Sequence, residues 1–308
     1  MTTYIIRRAL WLIPVVFVVS LITFLLMHAA PGTPFQPTSD RPLPPQVVER
    51  LEQQFGLNKP IWEQYFNWIG GIILHFDLGP SYRIRGRDVQ EIIGDNVWRS
   101  VQLGGMAFAL AVIVGIPLGV IAALRQNKWP DYAATFVSVI GIATPSFVLA
   151  VLLVLIFSIG LHWFPTSGWK GPEYWVLPTV ALSGYGIAQV GRYTRASMLE
   201  VTRRDYVRTA QSKGLKERTI VSVHMLRNAF IPVVTILGPL LAGLVTGSFV
   251  VESVFAIPGI GRFFVDAIFQ RDYGIIMATT LLYAVLIAVM NLVVDVAYAW
   301  IDPRIRYS

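Results

Sequence analysis

The sequence predicts an all-α membrane protein: a bundle of six transmembrane helices with both termini in the cytosol. Three observations predict it. Of the 308 residues, 55% are hydrophobic and only 14% are charged, against roughly 25% charged in a soluble domain. Apolar runs of about 20 residues, the length that crosses a bilayer, recur with polar gaps between them. The basic residues concentrate in alternate gaps, which orients the runs. In a soluble chain a net charge of +7 would point to nucleic acid. Here arginines and lysines beside cytosolic span ends account for it, and no nucleic-acid partner is expected. Cysteine is absent, which excludes disulfides, thiolate metal sites and cysteine nucleophiles.

The first span is 9–29, after Tyr4-Ile5-Ile6-Arg7-Arg8. It is longer than a signal-peptide core, and no small-residue cleavage site precedes Pro31-Gly32, so it is expected to be retained as an N-terminal helix within residues 1–30. Residues 31–99 then form an extracytosolic region. Pro45, Val47, Val48, Leu51 and Phe55 followed by Gly56 predict a short amphipathic helix with its stop. Ile61, Trp62, Tyr65, Phe66, Trp68, Ile69, Ile72 and Ile73 predict a second, aromatic-rich segment at the membrane interface, interrupted by Glu63, Gln64 and Asn67. Arg83, Arg85 and Arg87 form a basic cluster. The region reads either as a packed cap or as a docking surface for an outer partner.

Residues 100–308 hold the remaining spans, at 100–124, 132–160, 175–194, 229–251 and 275–300. Arg7 and Arg8, Arg125 and Lys128, the basic residues between Arg192 and Arg227, and finally Arg304 and Arg306 fall on one side. Trp163, Phe164, Trp169, Tyr174 and Trp175 mark the outer interface on the other. Gly115-x-x-x-Gly119 and Gly243-x-x-x-Gly247 each place two glycines on one helix face, open to a neighbouring backbone. Pro117, Pro145, Pro178, Pro232 and Pro239 lie in or at the ends of spans and invite kinks. Glu252 and Asp295 are the acids inside or beside apolar runs. They read as an ion relay or, with no chain of further acids, as interface carboxylates paired with arginine or wetted. The segment Phe255 to Arg262 reads as a gate-lining loop or a connector.

No catalytic pattern is present. The four histidines lack the zincin arrangement, and there is no Gly-x-Ser-x-Gly elbow and no Gly-Lys-Ser/Thr phosphate loop. No cofactor is expected, and any ATP must be hydrolysed by another subunit.

The polar loop 196–228 is the most informative stretch. Asp205 can cap a short helix on which Tyr206, Val207 and Ala210 share a face. Gly214 suits a left-handed stop, with Leu215 packing back. A second helix through Ile220, Val221, Val223, Met225 and Leu226 leads into the fifth span. The loop is therefore a helical hairpin pinned to the membrane at both ends. A helix-turn-helix DNA reader shares the look, but flanking spans argue against it.

Here the sequence resembles the permease subunits of binding-protein-dependent ABC importers, whose cytosolic loop reads Glu-Ala-Ala, three residues, Gly, nine residues, Ile-x-Leu-Pro. Ala210, Gly214 and Leu226 fall on the second Ala, the Gly and the Leu. Arg208, Thr209, His224 and Arg227 replace the Glu, first Ala, Ile and Pro. The form Arg208-Thr209-Ala210-x-x-Lys213-Gly214-Leu215 is similar to the dipeptide/oligopeptide branch, B-type subunit. So are Leu25 to Gly32, Gly56 to Pro60, Pro258 to Gly261, Arg271-Asp272-Tyr273 and Asp302 to Tyr307. The resemblance implies a type I importer bundle forming half a pore with a second homologous permease. It also implies two cytosolic ATP-binding subunits and an extracytosolic solute-binding protein. The coupling surface would comprise Asp205, Tyr206, Arg208, Thr209, Ala210, Lys213, Gly214, Leu215 and Leu226. The cargo would be dipeptides, longer peptides, glutathione, nickel complexes or oligosaccharides.

Overall fold

The computed structural model describes residues 2–29, 34–35, 44–84 and 86–301. Helices joined by turns make up the described residues, with one isolated bridge between Pro80 and Asp88 and no strand among them. Arg85, Pro31-Gly32, the ending 302–308 and the Asp295 side chain lie outside the described residues.

Helix α1 (Thr2–Ala29) is followed by two shorter helices, α2 (Pro45–Gln54) and α3 (Ile61–His75). Proline at the first turn starts α2, and Gly56 at φ +69° follows its end. Helix α4 (Val89–Leu124) begins well before the expected 100. The stretch 132–160 is not one straight helix. Helix α5 (Trp129–Ala143) and α6 (Ser146–Leu153) with a π-helical turn to Gly160 meet at 106°, because Pro145 bars Thr144 from helical continuation. Helix α7 (Pro172–Thr202) carries the chain back, and α8 (Asp205–Ser212) and α9 (Glu217–Thr219) follow. A π-helical turn, Ile220–Met225, feeds α10 (Leu226–Val245). Three more helices close the chain: α11 (Phe249–Val254), α12 (Ile260–Gln270) and α13 (Tyr273–Ile301).

Among the described residues, four helical stretches are long and apolar enough to cross a membrane: Leu10–Ala29, Val89–Leu124, Glu217–Val254 and Tyr273–Val293; the bent α5–α6 pair is a fifth if it counts as one span. Helix α7 is long but carries Tyr185, Gln189, Arg192, Tyr193 and Arg195. It packs at the centre, mainly along α4, and Ala181, Ala188, Val190, Thr194 and Met198 are buried. Neighbouring helices, rather than its own apolarity, shield it.

The α4–α7 seam is glycine-built. A Cβ on Gly119 would lie 2.5 Å from the Gly191 carbonyl oxygen, and one on Gly115 2.8 Å from Val190 Cβ. That pair is a close-packing motif. Gly243-x-x-x-Gly247 is not. Gly243 meets nothing within 4 Å, and Gly247 lies beyond α10 at φ +89°.

Contacts sort the bundle into two ends. At one, Phe24 and Met27 of α1 pack with Tyr65 of α3 and with Tyr273 and Met277 of α13. The Tyr65 hydroxyl meets Ser20 Oγ at 2.8 Å, so α3 caps the bundle side of α1. The buried Asp272 carboxylate accepts from Ser81 Oγ, Tyr82 N (3.1 Å) and Arg83 N (3.2 Å), tying the loop before α4 to the start of α13. Burial, with Asp272 nearby, pushes the Tyr82 hydroxyl up to about 12 and keeps it neutral.

Glu252 lies at this end as well. It is fully buried, with Ser100 Oγ donating to Oε1 (2.7 Å) and the Arg262 amide to Oε2 (3.0 Å). Ser100 Oγ also accepts from Ile260 N at 2.9 Å. This corrects the expectation of a wetted or arginine-paired carboxylate: the Arg262 guanidinium turns to Asp266 at 3.6 Å. The segment 255–262 is accordingly a tethered element, with Phe255, Ile257 and Ile260 buried.

Candidate functional site

The opposite end carries the polar hairpin between α7 and α10. Helix α8 is amphipathic: Val207 and Ala210, three residues apart, are 1% and 5% exposed. They enter a cluster with Ala123 of α4, Met198 and Val201 of α7, Ile220 and Met225 of the π turn, and Ala229 of α10; Leu226 packs against it. Burying Val207 and its partners is worth roughly 1.5–3 kcal/mol per large side chain. The hairpin is therefore clamped onto the bundle rather than hanging from it.

Its stop has the full hydrogen-bond signature of a left-handed cap. Gly214 sits at φ +69°, its N–H donates to Gln211 O at 2.9 Å, and the Leu215 N–H donates to Ala210 O at 3.4 Å. The second helix is continuous with α10 through the π turn, which adds a residue and re-aims the hairpin without breaking it.

The structure corrects three details. Asp205 does not cap α8. It is the first helical residue after Arg204, its side chain almost fully exposed and 4.0 Å from Arg208, where it favours the positive helix end. Tyr206 does not share the buried face; it is 40% exposed. The Leu215 backbone closes the cap, but its side chain faces outward at 41% exposure. Asp205, Tyr206, Arg208, Thr209, Lys213, Gly214 and Leu215 thus form one outward surface, while Ala210 and Leu226 anchor it from beneath.

One clasp beside the hairpin was not expected. The Asp131 carboxylate, at the first turn of α5, is 3% exposed and gripped by both Nε and Nη2 of Arg195 from α7. The Asn127 amide also donates to it at 3.0 Å, with Asn127 at φ +61°. A lone acid opening a helix and an arginine ending an apolar run were the available signals; only the fold brings them together. Among the described residues, no group of three or more His, Asp or Glu is placed to hold a metal ion.

A multi-helix membrane bundle carrying a clamped basic hairpin fits the class of membrane transport subunits. The chain belongs to the family of binding-protein-dependent transport system inner membrane components, whose model matches residues 115–307; the model of that family's N-terminal region matches residues 1–83. It is 44% identical over 310 residues, covering 100% of both chains, to the oligopeptide transport system permease protein OppB of Escherichia coli (strain K12). It is also 44% identical over 306 residues to the dipeptide transport system permease protein DppB of Bacillus subtilis (strain 168), covering 99% of this chain and 98% of that one. The fold matches a chain of the MetNI methionine ABC transporter in an inward-facing conformation, with TM-score 0.59, 16% identity, and coverage of 69% of this chain and 97% of that chain. An amino acid ABC transporter chain matches with TM-score 0.53 and 15% identity, covering 68% and 94%. The protein is a non-catalytic inner-membrane subunit of an ABC importer, with ATP hydrolysis in partner subunits.

Proposed function

We propose that this chain forms half of the translocation pore of an ATP-driven importer for dipeptides, oligopeptides or related small solutes. It would be paired with a second homologous permease over two ATP-binding subunits and served by an extracytosolic binding protein. In this reading α1, α4, α5–α6, α7, α10 and α13 are six spans with both termini cytosolic. Residues 1–30 are the first span, 31–99 the outer region and 100–308 the permease core. Helix α7 counts as a span because its long buried face packs along α4 at the centre of the bundle.

The outward face of the 196–228 hairpin, from Asp205 to Leu215, docks in a groove of one ATPase. Ala210 and Leu226 hold that face rigid. Closure of the ATPases moves α7 and α10 through it. Switching a two-state pore from 1:99 to 99:1 takes about 5.5 kcal/mol of differential binding, which a stiff lever transmits and a slack loop dissipates.

The observation that carries the proposal is the hairpin itself: a glycine-stopped helix, clamped by Val207 and Ala210, presenting a basic outer face, joined to α7 by a two-residue turn and continuous with α10. Peptide cargo is supported by the relatives' names. The test is reconstitution of the four membrane and ATPase subunits in liposomes with the binding protein; peptide uptake should require ATP and all partners. Uphill accumulation by this chain alone would mean a secondary transporter instead. Single cysteines in the naturally cysteine-free chain test the topology. Lys59→Cys and Lys170→Cys should react with an impermeant thiol reagent in intact cells, and Lys213→Cys should not.

A further inference from the structure

An open groove of about 670 Å³ runs between α7 and α10. On α7 it is lined by Tyr185, Gln189 and Tyr193, spaced four residues apart and therefore stacked along one face over about 12 Å. The Gln189 amide donates to the Tyr185 hydroxyl at 2.6 Å. Tyr185 is 51% and Tyr193 43% exposed. Facing them on α10 are Ile236, Leu240 and Leu244 with Thr235 and Gly243, and Ser146 of α6 lies at the edge, so the polar groups form a stripe in a largely apolar wall.

Two features distinguish this surface from one that meets lipid. An amide and two phenol hydroxyls on the face of a central helix are costly against hydrocarbon, so they call for water or polar solute. Pro239, also in the lining, has no N–H to offer the Thr235 carbonyl one turn back. Gly243 leaves the far wall open, with nothing within 4 Å of where a Cβ would stand. Among the described residues, the groove is lined by no Asp, Glu, Lys or Arg.

We propose that this groove is the chain's share of the solute passage, and that Gln189, flanked by Tyr185 and Tyr193, contacts solute by uncharged hydrogen bonding to peptide amides. The proposal rests on the peptide-import reading and refines it. Amide and hydroxyl groups both donate and accept, so they match any peptide backbone. The absence of fixed charge lets acidic, neutral and basic side chains pass alike, leaving selection to the binding protein.

The experiment uses the complete transporter in liposomes, with Ala-Ala-Ala, Ala-Lys-Ala and Ala-Glu-Ala as probes. The unmodified complex defines the reference ratios of uptake. Gln189→Lys should lower Ala-Lys-Ala uptake relative to Ala-Ala-Ala by about tenfold, the effect of one like charge within contact range of a partly desolvated path, and spare Ala-Glu-Ala. Gln189→Glu should show the mirror pattern. Unchanged ratios in both variants overturn the proposal.

Gln189→Cys supplies a second readout that does not depend on the charged variants. In the assembled transporter it should react with a water-soluble thiol reagent, and saturating Ala-Ala-Ala should slow the reaction. No reaction would place the groove against lipid or the second permease and overturn the proposal. If the unmodified complex moves no peptide, the peptide assignment falls, while the cysteine's reactivity towards the reagent still decides whether the groove is a wet passage.

Discussion

Arg195 of α7 holds Asp131 of α5 through two parallel bonds, Nε to Oδ1 at 2.6 Å and Nη2 to Oδ2 at 2.8 Å. The pair joins the turn after α4 to α7 about two helical turns before α7 ends at Thr202. Its two members differ in access to water. The Asp131 side chain is 4% exposed and that of Arg195 32%.

That difference predicts an asymmetry between deletions. Arg195→Ala strands a buried carboxylate, whereas Asp131→Ala leaves an arginine with a route to solvent. Removing one partner of a buried pair costs about 3–5 kcal/mol, and the lower end applies to Asp131→Ala. Thermal unfolding of the purified complex should therefore show a larger loss for Arg195→Ala. Arg195→Lys should recover only part, because an ammonium cannot fork. Equal losses for the two alanine variants would mean that the carboxylate is better solvated than its burial implies.

The second prediction concerns Glu252 and Ser100. Ser100→Ala removes the donor to Glu252 and the acceptor for the Ile260 amide in one step. Leaving such buried groups unsatisfied costs about 1–3 kcal/mol each. Glu252→Gln keeps the shape and one acceptor, so it should be milder than Glu252→Ala, which also empties the space against Gly259 and Gly261. Hydrogen exchange over 255–262 should rise in the order Gln, then Ala. Protection unchanged in Glu252→Ala would show that the segment is held by Phe255, Ile257 and Ile260 alone.

Much of this was legible in the sequence for identifiable reasons. Apolar run length gave the long helices, because a single segment of about 20 residues satisfies its own backbone hydrogen bonds in lipid only as a helix. Gly214 announced its left-handed turn because it follows a short amphipathic repeat. The illegible parts involve partners distant in the chain. Ser100 and Glu252, or Asp131 and Arg195, carry no local mark of their pairing. The sequence reads 175–194 as a span, but α7 falls outside the helices apolar enough to cross a membrane: its polar residues lower its hydropathy, and Gln189, Tyr185 and Tyr193 line an open groove. The two Gly-x-x-x-Gly repeats looked alike, yet one is a helix seam and the other runs past a helix end. Spacing alone does not say where a helix stops.

Gly104 and Gly105 give the third prediction, a contrast between neighbours. A Cβ at Gly104 would lie 2.3 Å from the Leu244 carbonyl oxygen, whereas at Gly105 it would meet nothing within 4 Å. Gly104→Ala must push α4 from α10 and should cost roughly 1–3 kcal/mol by overpacking. Gly105→Ala should be neutral or stabilise by up to about 1 kcal/mol through helix propensity. Detergent-solubilised melting temperatures distinguish them. Matching effects would show that α4 and α10 do not approach as closely as the structure has them.

The last prediction tests the lever at Gly214. An alanine there meets no neighbour within 4 Å, so its penalty is the left-handed backbone alone, about 1–2 kcal/mol. Asparagine, which tolerates that region, should cost less. Proline is different in kind: it cannot take a positive φ, and it removes the N–H that bonds Gln211 O at 2.9 Å. Gly214→Asn and Gly214→Ala should therefore retain graded uptake. Gly214→Pro should lose uptake and substrate-stimulated ATP hydrolysis together while the membrane subunits still co-purify, because the clamp at Val207 and the long helices are untouched. The joint loss matters, since a damaged pore alone would stop uptake and leave stimulated hydrolysis running. Normal uptake by Gly214→Pro would show that the hairpin's shape is not what transmits the stroke.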